Sequence, residues 1–308
     1  MLSFSFELTD ADSTDRLDKA VLARAPGSTR ALVAACFAAG GVRADGKPAS
    51  KSDRLAAGTR IDVAGLAETG DRAVGPEPDA PLAVVFEDAS LVAFDKPAGQ
   101  PCHPVRPRER GTLAGAALAR YPELASVGGD PAIPGLLHRL DAGTSGLVLA
   151  ARTQAAFAAV RAQIAAHEVR KVYLALVEGA VERAGGVSGH LAHADSFRGR
   201  MRCVSGGSLP HGERPMFAET FYRPMRRIGA FTLLEVTILT GVTHQIRCQL
   251  ASIGHPVAGD ALYGAHPLPS GEPGHRLHAL SMSFRHPATD RETTVRAPAP
   301  VWGGPADH

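Results

Sequence analysis

The rhythm of apolar and polar positions changes twice along the chain. In the first stretch apolar residues recur at helical spacing. Leu17, Val21 and Leu22 mark one short face, and Ser28 is placed to cap a second helix bearing Leu32, Val33 and Phe37. Val42-Arg43-Ala44, an Asp45-Gly46 turn and a last strand Arg60-Ile61-Asp62-Val63 complete a unit of two helices and a hairpin over 1–66. The period then disappears. Residues 67–81 hold three prolines, two glycines and excess acid, and read as a linker.

From 82 to 303 the pattern is that of strands with interspersed helices. Two apolar runs, PLAVVF and LVAF, flank residues 87–90 as a hairpin, and Leu147 to Ala151 is a short apolar strand. Residues 153–168 are helical, with Phe157, Val160 and Ile164 on one side. From Lys171 to Val177 the side chains alternate, so Val172, Leu174 and Leu176 face one way and Tyr173 the other. Phe231 to Leu239 is a further strand. Thr243 is placed to cap a helix with Ile246, Leu250 and Ile253 as its buried stripe and Gly254 as its stop. Without a regular βαβ alternation, the expected class is α+β: a mixed, largely antiparallel sheet flanked by helices, preceded by a small α/β module.

Composition narrows the function classes. The 308 residues are 44% hydrophobic and 21% charged, with a formal charge of only +2, so any basic surface must be local. Four cysteines far apart in sequence argue against a disulfide framework or zinc knuckle. No apolar run reaches the roughly 18 residues of a membrane span, and the N-terminus has no leader pattern, so a cytoplasmic protein without membrane association is expected.

The densest polar cluster is His138-Arg139-Leu140-Asp141-Ala142-Gly143-Thr144-Ser145-Gly146, held between Leu136-Leu137 and Leu147-Val148-Leu149. Arg139 and Asp141 are two apart, on one side of an extended chain. A carboxylate beside cations suits a nucleophile or general base, and it equally suits a structural ion pair in a loop. His244 and Arg247 share a helix face distinct from Ile246. Arg198, Arg200 and Arg202 alternate and would line one face of a strand as a phosphate track, or belong to a solvated loop. There is no Gly-x-Ser-x-Gly elbow, phosphate loop or dinucleotide fingerprint. His190 and His193 are spaced like metal ligands, but no neighbouring cysteine or acid completes a site, so neither metal nor cofactor is expected.

These runs together resemble the RluA-type RNA pseudouridine synthases. The 138–147 signature, the 84–104 stretch with its Lys-Pro-x-Gly turn and Lys171-Val172-Tyr173 all match in order. So do LTGVTHQIRCQLASIGHPVAGDALYG and the closing RLHALSMSFRHP. The N-terminal unit resembles a small ribosomal-protein-like RNA-binding module. The resemblance implies an isomerase that converts uridine to pseudouridine in structured RNA, without a cofactor, acting as a monomer. It favours ribosomal over transfer RNA and gives no reason to expect DNA; a catalytically silent RNA-binding protein of the same fold is the alternative class. Asp141 would be the essential carboxylate, Arg247 its oriented partner, and Tyr173 the ring under the extruded uracil. Arg139 would enter the RNA stack. Further RNA contacts would come from His138, Thr144, Lys171, His244, Gln245, Arg198, Arg200 and Arg202, and in the module from Arg43, Lys47 and Lys51. Three departures from the family pattern bear on RNA contacts: Val242 in place of Arg, Gln249 in place of His, and Gly143 where a second Asp is frequent.

Overall fold

The computed structural model describes residues 1–25, 27–68, 73–105, 109–194, 199–204 and 215–303. They divide into two compact units. The first comprises Met1–Gly75 with His103–Arg110 and Asp130–Ala132, and the second comprises the remainder. No helix among the described residues is long and apolar enough to cross a membrane.

The first unit contains β1 (Leu2–Glu7), α1 (Asp10–Ser13), α2 (Leu17–Ala23), α3 (Arg30–Ala38), β2 (Val42–Ala44), β3 (Lys47–Pro48) and β4 (Arg60–Leu66). Its sheet runs β1-β4-β2-β3, all antiparallel. Leu17, Val21, Val33, Phe37, Ile61 and Val63 form the core between the helices and this sheet. Two expectations need correction. Strand β1 pairs along β4, where only a hairpin and one further strand had been expected. The cap of α3 is Thr29, whose side chain accepts the Leu32 N–H, while the Ser28 hydroxyl donates to the Ala67 carbonyl.

The second unit is built on β5 (Val84–Glu87), β6 (Leu91–Lys96), α4 (Leu113–Arg120), β7 (Ser145–Ala151), α5 (Gln154–Ala165), β8 (Arg170–Glu178), β9 (Gly185–His193), β10 (Met201–Val204), β11 (Met216–Ile228), β12 (Phe231–Ile238), α6 (Gln245–Ser252), β13 (Leu277–Arg285) and β14 (Glu292–Arg296). One large sheet runs β10-β9-β11-β12-β8-β13-β7-β6-β5, with β14 added to β13. Every pairing is antiparallel except β13 with β7. The α+β expectation therefore holds, and the mixed character of the sheet comes from this one parallel pair.

That pair positions the site. His278 and Ala279 of β13 lie opposite Ser145 and Gly146 of β7, and Ala279 lies opposite Tyr173 of β8 on its other side. The segment entering β7 is thereby set one strand away from Tyr173. Gly146 has φ +104°, and a Cβ there would overlap the backbone of Ala279, so the close approach of β7 to β13 requires glycine. Strand β8 is buried from Lys171 to Val177 on both faces, so the alternation seen in its sequence does not separate a core face from an open one.

Candidate active site

The turn before β7 is held from several sides. Leu137 N–H donates to the Leu149 carbonyl at 3.0 Å, and Leu149 N–H donates to His138 Nε2 at 3.0 Å. Leu140 N–H donates to Cys102 Sγ at 3.2 Å, whose thiol lies 3.4 Å from the Leu140 carbonyl. Lys96, fully buried, donates from Nζ to the carbonyls of Pro97 (2.9 Å), Gln100 (2.7 Å) and Ala142 (3.0 Å), the last beside Asp141. Burial pulls the Lys96 ammonium down to about 8, and the Asp141 charge opposes this. The three carbonyl oxygens also favour the charged form.

Asp141 emerges from this frame half-buried. Its Oδ2 accepts from Arg247 Nη1 at 2.8 Å, and His244 Nε2 lies 3.6 Å away. Arg247 is buried, and its other two donors grip Asp260 in a fork: Nε to Oδ2 at 2.6 Å and Nη2 to Oδ1 at 2.8 Å. Burial alone would lower the guanidinium, but the Asp260 and Asp141 carboxylates outweigh it and hold Arg247 above its ordinary value. The guanidinium carbon lies 5.3 Å from the Tyr263 ring centre. The Tyr263 hydroxyl accepts from Met201 N–H at 2.9 Å and lies 2.9 Å from His244 Nδ1. With the proton of the neutral His244 ring on Nε2, facing the acceptor-only Asp141 carboxylate, Nδ1 accepts from the Tyr263 hydroxyl. Burial lowers the His244 imidazole, with Asp141 opposing, which agrees with the neutral ring.

Tyr173 is buried, and its hydroxyl makes no hydrogen bond among the described residues. Burial first and the Asp141 charge second raise its phenol, so the ring is held neutral. Arg139 is exposed at the rim, with Nη2 3.4 Å from Thr243 Oγ1. Asp141, Arg247, His244 and Arg139 thus converge, and Arg247 reaches Asp141 as the family resemblance implied. Helix α6 begins differently from expectation. Its N-cap is His244, in the left-handed conformation (φ 54°), while Gln245 Oε1 turns back to accept Val242 N–H; Thr243 is not the cap. Ile246 and Leu250 are buried, but Ile253 is exposed.

Four residues expected at the RNA are instead turned inward. Gln245 spends both ends of its amide on Thr240, Val242, Glu219 and Thr220. Thr144 Oγ1 meets His275 Nε2 at 2.8 Å. His138 is an acceptor for the Leu149 backbone, and burial pushes its imidazole down to about 3, so it carries no charge for a phosphate. Lys171 is buried and lowered to about 8, chiefly by desolvation. Among the arginines, Arg200 is exposed with its guanidinium 5.8 Å from the Tyr263 ring centre, and Arg202 is half-exposed on β10. Arg198 lies outside the described residues. In the first unit Arg43 and Lys47 are exposed on the β2–β3 hairpin and Lys51 is half-exposed just beyond it.

Asp260, Tyr263 and Lys96 stood inside matched motifs without a role assigned to them. The departures have local reasons. Val242 packs against the cluster of Leu191, Met201, Ala218, Cys248 and Tyr263. Gln249 is buried, bonded to Thr220 and the Ala218 carbonyl. At Gly143 a Cβ would come within 2.9 Å of His275 Cε1, so the ring of His275 occupies the room a longer side chain would take. His190 and His193 lie on β9, with the His190 ring edge-on to Phe217 at 5.7 Å.

Residues 90–252 match the family model described as RNA pseudouridylate synthase. The ribosomal large subunit pseudouridine synthase D of Xanthomonas campestris is 34% identical over 303 residues, covering 94% of this chain and 87% of the relative. The enzyme of the same name from Nitrosomonas europaea is 34% identical over 305 residues, covering 96% and 85%. In fold, the chain resembles human RNA pseudouridylate synthase domain containing 1, with a TM-score of 0.56 at 24% identity over 74% of this chain and 87% of that one.

Proposed function

This chain belongs to the RNA pseudouridylate synthase family, whose members isomerise uridine in RNA, and we propose that it does so in large-subunit ribosomal RNA with Asp141 as the catalytic carboxylate. The observation that carries the residue assignment is the fork of Arg247. One donor holds Asp141 Oδ2 while two are fixed by buried Asp260, so the carboxylate is charge-compensated and aimed without being enclosed. The choice of RNA rests on the relatives, which are named for the ribosomal large subunit.

The reaction breaks the bond between uracil N1 and the ribose, turns the base, and joins C5 to the ribose, releasing the C5 proton. Taking the uridine out of its stack costs about a few kcal/mol. Tyr173 offsets this as a neutral aromatic surface, and Arg139 at the rim fills the space the base leaves. Asp141 then acts either by attack on the ribose or base, or by removal of a ribose proton; both begin from its free oxygen. Tyr173 is not suited to serve as a phenolate base, since burial and Asp141 both oppose its ionisation. Arg200 and Arg202 extend the cationic rim, and Arg43, Lys47 and Lys51 of the N-terminal unit hold phosphates as a separate RNA-binding module. The enzyme works in the cytoplasm as a monomer.

Tritium at uracil C5 reports the reaction directly, because forming the new carbon–carbon bond expels it to water. Purified protein should release tritium from large-subunit RNA labelled in this way. Asp141→Asn should abolish release while RNA affinity stays within about twofold. Release by the variant at the wild-type rate would overturn the assignment of Asp141, and equal release from any uridine-containing RNA would overturn the choice of substrate.

A further inference from the structure

Outside the machinery already described, two cysteines far apart in sequence meet beside the residue that aims Asp141. Cys203 on β10 and Cys248 on α6 have their sulfurs 3.7 Å apart. Cys248 immediately follows Arg247 and is buried, whereas Cys203 is exposed. The other two cysteines differ. Cys36 and Cys102 are buried, and burial pushes both thiols up. We propose that Cys203 and Cys248 are a peroxide-reactive pair that closes to a reversible disulfide and switches the enzyme off by pulling on α6. The inhibition rests on the function proposed above; the disulfide does not.

The chemistry needs one oxidant, a hydroperoxide. The Cys203 thiolate attacks the peroxide oxygen, its sulfur is oxidised to a sulfenic acid, and water leaves once a proton is taken up. The Cys248 thiol, having lost its proton, then attacks that sulfur and expels a second water. Two thiols and one hydrogen peroxide become one disulfide and two waters. An exposed sulfur receiving hydrogen bonds is the one that holds negative charge. Donation from Cys248 across this contact draws Cys203 below an ordinary thiol, and the shared proton stays on the buried Cys248. An exposed thiolate with a resolving thiol in reach is the arrangement of a redox sensor, and such transient disulfides occur in reducing compartments.

The consequence for the site is geometric. A disulfide requires the sulfurs to close to about 2.05 Å. Whatever part of that closure rotation of the two cysteine side chains does not supply must come from approach of strand β10 and helix α6, at a residue adjacent to Arg247. Arg247 holds Asp141 at 2.8 Å, and the backbone of Met201 on β10 anchors the Tyr263 hydroxyl that orients His244. A misplacement of about 1 Å in such a constellation can cost on the order of 10²-fold in rate.

The test treats the intact reduced protein with stoichiometric hydrogen peroxide, then maps its peptides without reduction and measures single-turnover tritium release in parallel. The expected result is a linked Cys203–Cys248 peptide two hydrogens lighter, with Cys36 and Cys102 still reduced. The rate should fall at least tenfold and return with dithiothreitol. Cys203→Ser should form no such link and keep its rate within twofold under the same treatment. Oxidation of Cys203 to the sulfinic acid without a link, equally fast oxidation of Cys36 or Cys102, or a linked protein at full rate would each overturn the proposal. The linked peptide is read without RNA. A reduced protein that releases no tritium therefore counts against the proposed function and leaves the thiol pair to be judged on its link.

Discussion

At Asp141 the turn of residues 138–146 and a helix a hundred residues later meet within 2.8 Å, and the meeting has measurable consequences. Arg247→Met should lower single-turnover release at saturating enzyme by about 10²-fold, and the double variant with Asp141→Asn should be little worse than Asp141→Asn alone, since groups acting as one unit are not additive. If Arg247 were only a phosphate anchor, the saturated rate would be unchanged. Asp260→Asn leaves the buried guanidinium undercompensated and should lower unfolding free energy by about 3 kcal/mol in urea titrations. A loss below about 1 kcal/mol would show that Asp260 does not stabilise the buried guanidinium. Asp141 and Arg247 stood out as charge beside backbone-freeing or helix-starting residues, but their pairing was readable only through the family resemblance. Asp260 lay in plain sight in a quoted motif, but a carboxylate in a Gly-Asp turn has no pattern announcing a distant arginine. His275 gave no signal at all; only the folded chain brings it to Gly143 and Thr144.

Among elements, those with clean periodicity were readable: α5, β7 and β12 fall within a few residues of expectation. Strand β9 was missed because Gly185, Gly186 and Gly189 dilute its alternation. Strand β11 was likewise not anticipated. It is a paired strand whose exposed positions alternate, and Pro224 is tolerated where the register with β12 slips. The entry to β7 is tied to its surroundings by three histidines: His275 to Thr144, His278 to Ser145, and His138 to the β7 backbone. Burial lowers them to about 4, 4 and 3, and the nearby Arg247 lowers His275 further. Their folded values lie below the unfolded one near 6.5, so the unfolded chain binds more protons between those limits. Their contribution is fully present above about pH 6.5 and is lost as pH falls toward 4. The urea midpoint should drop between pH 7 and 5, and more shallowly in His275→Asn; parallel curves for the two proteins would contradict this reading.

For the whole molecule, the α+β class and the order of the motifs were readable from sequence, while the order of strands in the sheet was not. The parallel pairing of β13 with β7 joins segments over a hundred residues apart, and no local pattern encodes it. The net charge of +2 similarly hid a local distribution, with exposed cations on the β2–β3 hairpin of the first unit and at the rim of the second. Replacing Arg43, Lys47 and Lys51 together by Ala should weaken RNA binding and reduce the salt slope by up to about three, one per phosphate contact, while the saturated rate holds. An unchanged slope would make the first unit a bystander on that RNA. The central claim, that the Asp141 site converts uridines of large-subunit ribosomal RNA, is tested most directly by mapping pseudouridine across that RNA from cells lacking this protein. The maps are compared after restoring either the natural chain or Asp141→Asn. The account predicts that specific pseudouridines vanish, return with the natural chain and stay absent with the variant. Unaltered maps in the deletion, or full restoration by Asp141→Asn, would contradict it.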